Sequence, residues 1–313
     1  MSLARALELA GAAAGVAYPK PTVGAVVLAD GEVVGEGVTE AGGRHAEVVA
    51  LDRAGTRARG STLFVTLEPC AHQGTTPPCT ERVLGAGVAR VVVGSRDPNP
   101  EAAGGVDVLR AGGVEVELID SPEARAQNEA WRVWVSQGRP FVTYKVAATL
   151  DGRIALPGRR FISGEQSRRL VHELRAASDA VAVGMGTVRS DAPRLDAREV
   201  PLPRGQPRRL AFGRGPLPPG SGLELRSGPL RSELAALAAE GVQSLLLEGG
   251  PTLAGAFIEA DLLDKILVFV APLLGFGDGP SLLPRLGSGR NLSHLGARRV
   301  GEDVLLQAYV HAP

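Results

Sequence analysis

Residues 62–79 read TLFVTLEPCAHQGTTPPC, an apolar, β-branched run that leads into two cysteines in a proline-rich turn region. The run 62–67 predicts a buried strand, because β-branched and apolar side chains pack well on a sheet. A helix is predicted at 45–53, strands at 89–94 and 114–119, and a hairpin turn at Asp30-Gly31. The first half therefore predicts an α/β sheet with helices on both faces, mixed rather than purely parallel.

Length and composition limit the class of protein. The chain has 313 residues, which predicts two domains at about 100–200 residues each. Lys+Arg and Asp+Glu are 34 each, and this balance argues against nucleic-acid or anionic-membrane binding. Two cysteines are too few for a disulfide framework, and no apolar stretch approaches the length of a membrane span. We expect a cytoplasmic protein.

The pattern breaks at Gly138-Arg139-Pro140, which predicts domains at 1–138 and 139–313. One helix is predicted before the break, at 122–137. After it, strands and helices alternate again, starting with a strand at Phe141. Ser163 and Gln166 suit a capping box for a helix that ends near Ala177. The segment 213–228 is rich in Pro, Gly and Ser and predicts an exposed loop.

A candidate metal centre lies in the first half. His45, Cys70 and Cys79 are good Zn²⁺ ligands, and three protein ligands leave the fourth position free for catalysis. Glu47 is the candidate carboxylate for moving protons between water and a leaving amine. Since His45 and Glu47 are two residues apart, they converge only if His45 begins the helix. Two alternatives stay open: a core histidine with two reduced cysteines and no metal, or a closed structural zinc site with His72 as the fourth ligand.

The second half lacks the glycine fingerprint of dinucleotide-binding folds, because 184–187 (GMGT) has no third glycine. The segment 248–252 (EGGPT) runs from a predicted strand into a predicted helix. Glycines allow close approach to a ligand, and free N–H groups at a helix start can bind phosphate. The alternative for such a turn is a simple strand–helix connection.

Three motifs of the first half together resemble the deaminase half of the bifunctional riboflavin-biosynthesis deaminase/reductase family. They are HAE (45–47), TLEPCAHQGTTPPC (66–79) and DPNP (97–100). The resemblance implies a cytidine-deaminase-like three-layer α/β/α fold. It also implies hydrolysis of the 2-amino group of a diaminopyrimidinone that carries ribosylamino 5-phosphate. By position in these motifs, the zinc ligands are His45, Cys70 and Cys79, the proton donor is Glu47, and the substrate contacts are Asp97 and Asn99.

The chain departs from that family at four positions that typically contact substrate. They are Thr22, Thr39, Val49 and Thr75, where the family commonly has Asn, His, His and a basic residue.

Four motifs of the second half resemble the reductase half of the same family, which has a dihydrofolate-reductase-like fold and uses NADPH to reduce the ring-opened ribose to a ribityl chain. They are KVAATLDGR (145–153), LRAASDA (174–180), GTVRSDAP (186–193) and EGGPTLA (248–254). The resemblance implies that Lys145 and Glu248 lie near the reacting carbonyl. The residues implied to face NADPH are Ala147, Phe161, Thr187, Asp191, Gly250, Pro251, Thr252, Leu253, Ala254, Gly255 and Ala256; those implied to face the substrate are Arg175, Leu195, Arg198 and Glu248.

Arg175 and Arg198 suit bidentate phosphate binding. Two departures lie near the first strand of this half. Phe161 stands where relatives commonly have Trp, and Arg159 and Arg160 stand where a substrate-binding Ser is common.

The sequence thus predicts a bifunctional enzyme with Zn²⁺ and NADPH as cofactors, acting on a small phosphorylated pyrimidine. One alternative keeps the fold, with one half inactive or acting on a related phosphoribosyl pyrimidine. A nucleic-acid-editing deaminase is disfavoured by the neutral charge and the few aromatic residues. A non-enzymatic zinc-stabilised interaction module is the remaining rival. The family resemblance implies a homo-oligomer.

Overall fold

The computed structural model describes residues 2–73, 77–277, 279–283, 287 and 289–313. The chain forms two compact units, Met1–Gln137 together with Pro313, and Gly138–Ala312. Within the described residues, no helix has both the length and the apolar character needed to cross a membrane.

The first unit contains a five-stranded mixed sheet in the order β2-β1-β3-β4-β5. The strands β1 and β2 form the predicted hairpin, with Asp30 and Gly31 both at positive φ. β1 also pairs antiparallel with β3, while β3, β4 and β5 are parallel. The bounds of the strands are Gly24–Ala29 (β1), Glu32–Val38 (β2), Thr62–Val65 (β3), Arg90–Val93 (β4) and Glu115–Leu118 (β5).

Six α-helices accompany this sheet in the described part of the first unit: Ser2–Ala12 (α1), Ala46–Ala54 (α2), Cys79–Ala86 (α3), Gly105–Ala111 (α4), Pro122–Ala126 (α5) and Glu129–Gln137 (α6). The predicted single helix over 122–137 is wrong, because the chain turns between α5 and α6. At this break the Asn128 side chain accepts a hydrogen bond from Thr22 N and donates one to Thr22 O. The sequence analysis did not predict α4.

Two glycines of β2 bring α2 against the sheet. A Cβ at Gly37 would lie 2.2 Å from the carbonyl oxygen of Ala46, and one at Gly35 would lie 2.1 Å from that of Ala50. No side chain can occupy that space, so the helix backbone lies directly on the strand. The position of the first turn of α2 is therefore set by the sequence VVGEGV (33–38).

The second unit contains an eight-stranded sheet in the order β12-β13-β11-β6-β10-β7-β8-β9. The strands from β11 to β9 are parallel, whereas β12 and β13 run antiparallel at one edge. The bounds of the strands are Phe141–Thr149 (β6), Ala180–Gly184 (β7), Arg208–Phe212 (β8), Glu224–Arg226 (β9), Ser244–Leu247 (β10), Lys265–Ala271 (β11), Ser293–Val300 (β12) and Asp303–Tyr309 (β13).

The helices of the second unit are Glu165–Ala177 (α7), Met185–Asp191 (α8), Leu230–Ala239 (α9) and Pro251–Glu259 (α10). The predicted capping box is wrong: Gly164 is the N-cap of α7, without a side-chain cap, and its N–H donates to Asp303 instead. The exposed loop predicted at 213–228 is wrong in part, because it contains β9, which pairs with β8. The sequence analysis also missed α8 and β12.

Candidate functional sites

The first site begins at the N-terminus of α2. His45 is the N-cap, with extended backbone angles (φ −78°, ψ 152°), and Glu47 lies in the first helical turn. This is the placement at the helix start that convergence of the two side chains requires. His45 is half-buried, whereas Glu47 is only 3% exposed.

The two cysteines approach His45 from another strand–helix connection. Cys70 follows the end of β3, and Cys79 is the first residue of α3. Nδ1 of His45 lies 3.1 Å from Sγ of Cys79 and 3.6 Å from Sγ of Cys70. The Cys79 N–H donates a hydrogen bond of 3.4 Å to the Cys70 sulfur. The pKa of Cys70 is lowered, first by a hydrogen bond from the Cys79 thiol, and this favours a thiolate.

The donor set fits zinc. All three ligand atoms lie within 4.8 Å of one another. Tetrahedral bonds of about 2.0 Å to nitrogen and about 2.3 Å to sulfur would separate N and S ligands by about 3.5 Å, close to the observed spacings. Within the described residues, His72 does not join this group, although it lines the adjoining cavity. The geometry therefore favours three protein ligands over a closed four-ligand site.

Glu47 has the environment of a proton carrier. Burial raises the pKa of its carboxyl to about 7, partly offset by hydrogen bonds and by the nearby His45. A carboxyl group with a pKa near neutrality can both accept and donate a proton at physiological pH.

A cavity of about 410 Å³ opens onto this site. His45, Glu47, Cys70, Asp97 and Asn99 all line it, so the structure brings together the predicted residues of the first half. Burial raises the pKa of Asp97 to about 6. The cavity is also lined by Trp131 and Trp134 of α6, two residues to which the sequence analysis gave no role at this site.

Sequence reasoning also missed Glu68. Its carboxylate is 3% exposed and accepts hydrogen bonds from Asp97 N (3.1 Å) and Val106 N (2.9 Å). It therefore ties the end of β3 to the loop that carries Asp97 and to the start of α4. The sequence signal for Glu68 is an acidic residue at the end of an otherwise apolar predicted strand. A carboxylate buried there is stable only if hydrogen-bond donors surround it.

The departures from the family pattern occupy different places. Thr39 is buried and lines the cavity, and its Oγ1 accepts a hydrogen bond from Val23 N at 2.9 Å. Thr22 is held by Asn128, and Val49 lies in the core. Thr75 lies outside the described residues.

The second site is a cavity of about 1160 Å³ in the second unit. At its wall, the Glu248 carboxylate accepts hydrogen bonds from Arg175 on both oxygens (Nε–Oε1 2.6 Å, Nη2–Oε2 3.0 Å). It also accepts one from Lys145 Nζ at 3.2 Å. Burial alone would raise the pKa of Glu248, but the charges and hydrogen bonds of Lys145 and Arg175 outweigh it and hold the pKa at about 2. The predicted Lys145–Glu248 pair is thus present, and Glu248 occupies the Arg175 fork expected for phosphate.

Gly250 and Pro251 form the start of α10 directly after β10, with Gly250 as the N-cap. Pro251 in the first turn removes no helical hydrogen bond. The residues expected to face NADPH that line the cavity are Ala147, Phe161, Thr187, Asp191, Gly250, Pro251, Thr252, Leu253 and Ala256.

Three of the residues expected at this site do not line the cavity. Ala254 and Gly255 are buried in α10, on its core side. Leu195 is 2% exposed, has a positive φ of 56° and packs in a core cluster. Arg198 does line the cavity, and its guanidinium pairs with Asp196.

Comparisons with known proteins cover both units. Residues 2–95 match the family described as cytidine and deoxycytidylate deaminase zinc-binding region, and residues 140–219 and 228–306 match the RibD C-terminal domain. The riboflavin biosynthesis protein RibD of Aquifex aeolicus is 38% identical, over 96% of this chain and 91% of that protein.

Two solved structures are similar over 98% of this chain and 97% of theirs. One is RibD of Acinetobacter baumannii, with a TM-score of 0.81 and 33% identity. The other is a diaminohydroxyphosphoribosylaminopyrimidine deaminase/5-amino-6-(5-phosphoribosylamino)uracil reductase of Thermotoga maritima, with a TM-score of 0.82 and 32% identity. The chain therefore belongs to the RibD family of riboflavin biosynthesis, bifunctional enzymes with a zinc-binding deaminase domain and an NADPH-dependent reductase domain.

Proposed function

We propose that this chain deaminates 2,5-diamino-6-ribosylamino-4(3H)-pyrimidinone 5′-phosphate at residues 1–138 and reduces the ribosyl chain of the product at residues 139–313. The observation that carries the proposal is the cluster of His45 Nδ1 and two cysteine sulfurs beside a buried glutamate, at the wall of a cavity. Nothing in the described residues or in the relatives favours an inactive half or a different substrate.

In the deaminase half, His45, Cys70 and Cys79 would hold the zinc ion. Zinc, when bound, acts as a Lewis acid that makes water a nucleophile at neutral pH. The Glu47 carboxylate would take one proton from the attacking water and deliver it to the pyrimidine ring nitrogen as the C–O bond forms. It would then move the remaining hydroxyl proton to the amino group, so that the C–N bond breaks and ammonia leaves. A pKa near 7 suits both directions of this transfer.

Asp97 and Asn99 bind the substrate in this proposal. Two hydrogen bonds hold their loop: Asp97 N donates to the Glu68 carboxylate, and Asp97 Oδ1 accepts a hydrogen bond of 2.8 Å from Asn99 N. A fixed loop orients the pyrimidine relative to Glu47, and such orientation is a large part of catalysis.

In the reductase half, NADPH supplies the hydride that reduces the ring-opened sugar carbonyl. The Lys145 ammonium polarises the carbonyl oxygen and donates the proton that completes the alcohol. Glu248 fixes Lys145 Nζ, and Arg175 fixes Glu248 in turn. The start of α10 would hold NADPH, because Gly250 leaves the backbone accessible there and the free N–H groups of a helix start can bind an anion.

Substrate binding in this half is assigned to Arg198 and Glu248 by side chain. Leu195, whose side chain is buried, can contribute only its backbone. Arg175 contacts the substrate region through Glu248, because its fork is already engaged.

The proposal also covers the cellular compartment and the oligomeric state of the enzyme. The two free cysteines must stay unoxidised to bind a metal, and we propose that the enzyme works in the reducing cytoplasm, where disulfides rarely form. We propose a homo-oligomer that binds no nucleic acid, and light scattering together with an RNA and DNA shift assay tests both statements.

A coupled assay tests the function. Ammonia release and NADPH oxidation are followed separately with the diaminopyrimidine phosphate, zinc and NADPH. Glu47→Gln should lower ammonia release at least about 100-fold while leaving one zinc per chain. The matched control is Glu81→Gln, an exposed residue in the first turn of α3, with unchanged rates. Ammonia release by Glu47→Gln at the wild-type rate, or absence of bound zinc, would refute the deaminase assignment.

A further inference from the structure

Two arginines of the reductase half lie against one aromatic ring at the large cavity. The guanidinium carbon of Arg168, in the first turn of α7, lies 4.8 Å from the centroid of the Phe161 ring, and that of Arg160 lies 5.2 Å from it. All three residues line the cavity that contains Lys145 and Glu248. The ring is 50% exposed, so this cluster faces the cavity opening rather than the core.

No acidic side chain in the described part of the chain neutralises these two cations. Among the described residues, neither Arg160 nor Arg168 forms an ion pair, and Arg168 donates only to the carbonyl oxygen of Ser163 (2.7 Å). The other two arginines of the same cavity are paired, Arg175 with Glu248 and Arg198 with Asp196. Positive charge that is free to bind an anion is therefore concentrated at Arg160 and Arg168.

Nearby carboxylates do not change this balance. Glu302 and Asp303 line an adjoining cavity of about 530 Å³, which also includes both arginines. The Asp303 carboxylate accepts a hydrogen bond from Gly164 N, and Glu302 lies 3.7 Å from Arg299. In the described part of the chain, neither acid lies within ion-pair distance of Arg160 or Arg168: Glu302 pairs with Arg299, and Asp303 forms no ion pair.

We propose that Arg160 and Arg168 form an anion subsite of the reductase cavity that takes a phosphate monoester. Guanidinium groups match phosphate oxygens in geometry, and Phe161 keeps both guanidinium planes close to the cavity wall. The subsite rests on the proposed reductase function, whose two reactants each carry a phosphate monoester. These are the 5′-phosphate of the pyrimidine substrate and the 2′-phosphate of NADPH.

The test compares Arg160→Ala, Arg168→Ala and Arg168→Lys with Arg169→Ala. Arg169 is the matched control, because it lies on the same helix, is 75% exposed and faces Glu173 rather than the cavity. For each variant, Kd is measured for NADPH and NADH by nucleotide fluorescence. KM in the reductase reaction is measured for the substrate with and without its phosphate.

If the subsite takes the substrate phosphate, each alanine variant raises KM of the phosphorylated substrate about tenfold, the loss of one charge-assisted hydrogen bond. KM of the dephosphorylated substrate and Kd of NADPH then stay unchanged. If it takes the coenzyme phosphate, Kd of NADPH rises about tenfold and Kd of NADH does not. Arg168→Lys keeps the charge and should recover part of either loss.

Alanine variants that stay within twofold of Arg169→Ala in all four measurements would overturn the subsite. A failure of the proposed function looks different, because wild-type enzyme would then not oxidise NADPH with either substrate. Thermal unfolding of each variant checks the fold, and Arg160, with its exposed side chain, keeps the test available if Arg168→Ala unfolds.

Discussion

Replacing Arg175 by methionine should destabilise the second unit by breaking a buried charge cluster. In the native structure the Arg175 side chain is 14% exposed and binds both oxygens of Glu248, whose side chain is 8% exposed. Methionine keeps much of the apolar stem but leaves Glu248 with Lys145 as its one remaining cation at 3.2 Å. The Glu248 carboxylate then stays buried with one of its two cationic partners.

The burial and the pKa of Glu248 set the size of the expected loss of stability. The pKa of Glu248 is held at about 2 rather than 4.5, a difference equivalent to about 3 kcal/mol of stability at neutral pH. Removal of one partner from a buried ion pair costs about 3–5 kcal/mol. We therefore expect Arg175→Met to lower the free energy of unfolding of this unit by about 3 kcal/mol.

The pH dependence has a definite sign. Because the folded pKa of Glu248 is depressed, its contribution is fully present above about pH 4.5 and is lost as the pH falls towards 2. In Arg175→Met the folded pKa rises towards its ordinary value, so this acid-dependent loss becomes smaller; it still begins near pH 4.5 but is complete at a higher pH.

Urea unfolding followed by circular dichroism measures the change. Both tryptophans, Trp131 and Trp134, lie in the first unit, so their fluorescence follows that unit separately and should not change. Arg169→Met is the control, since it removes an exposed pair worth at most about 1 kcal/mol. A loss in Arg175→Met that is no greater than in Arg169→Met would refute the reasoning.

Three further results are expected. Gly37→Ala places a Cβ 2.2 Å from the Ala46 carbonyl oxygen and should displace the start of α2, so that bound zinc and ammonia release both fall. The control is Gly42→Ala, whose Cβ has no atom within 4 Å and which should leave both measurements unchanged. Glu68→Gln replaces one acceptor oxygen by an amide group that faces a backbone N–H. KM for deamination should therefore rise about tenfold, with zinc content unchanged. An unchanged KM would contradict the role of Glu68 in positioning the Asp97 loop. Chelation of zinc should abolish ammonia release while NADPH oxidation with the deaminated intermediate continues, and equal loss of both would contradict separate sites.

Local sequence carried much of the first site. His45 begins its helix, as the two-residue spacing between His45 and Glu47 required. Such features depend on neighbours within a few residues, so pattern and propensity can predict them. The same local rules failed at the predicted capping box: the N-cap is Gly164, which has no side chain, and its N–H is held by Asp303, 139 residues away.

The sequence by itself predicted the mixed α/β sheet of the first half, the candidate ligands His45, Cys70 and Cys79, and Glu47 as the candidate proton carrier, because residue type and short spacing indicate each. Only the tertiary structure decided which charges meet. It engaged Arg175 with Glu248, placed Arg160 and Arg168 beside Phe161 with no carboxylate partner among the described residues, and made Glu68 the anchor of the Asp97 loop. Partners far apart in the chain are chosen by packing and burial, since a buried charge is stable only where the fold supplies its counterpart.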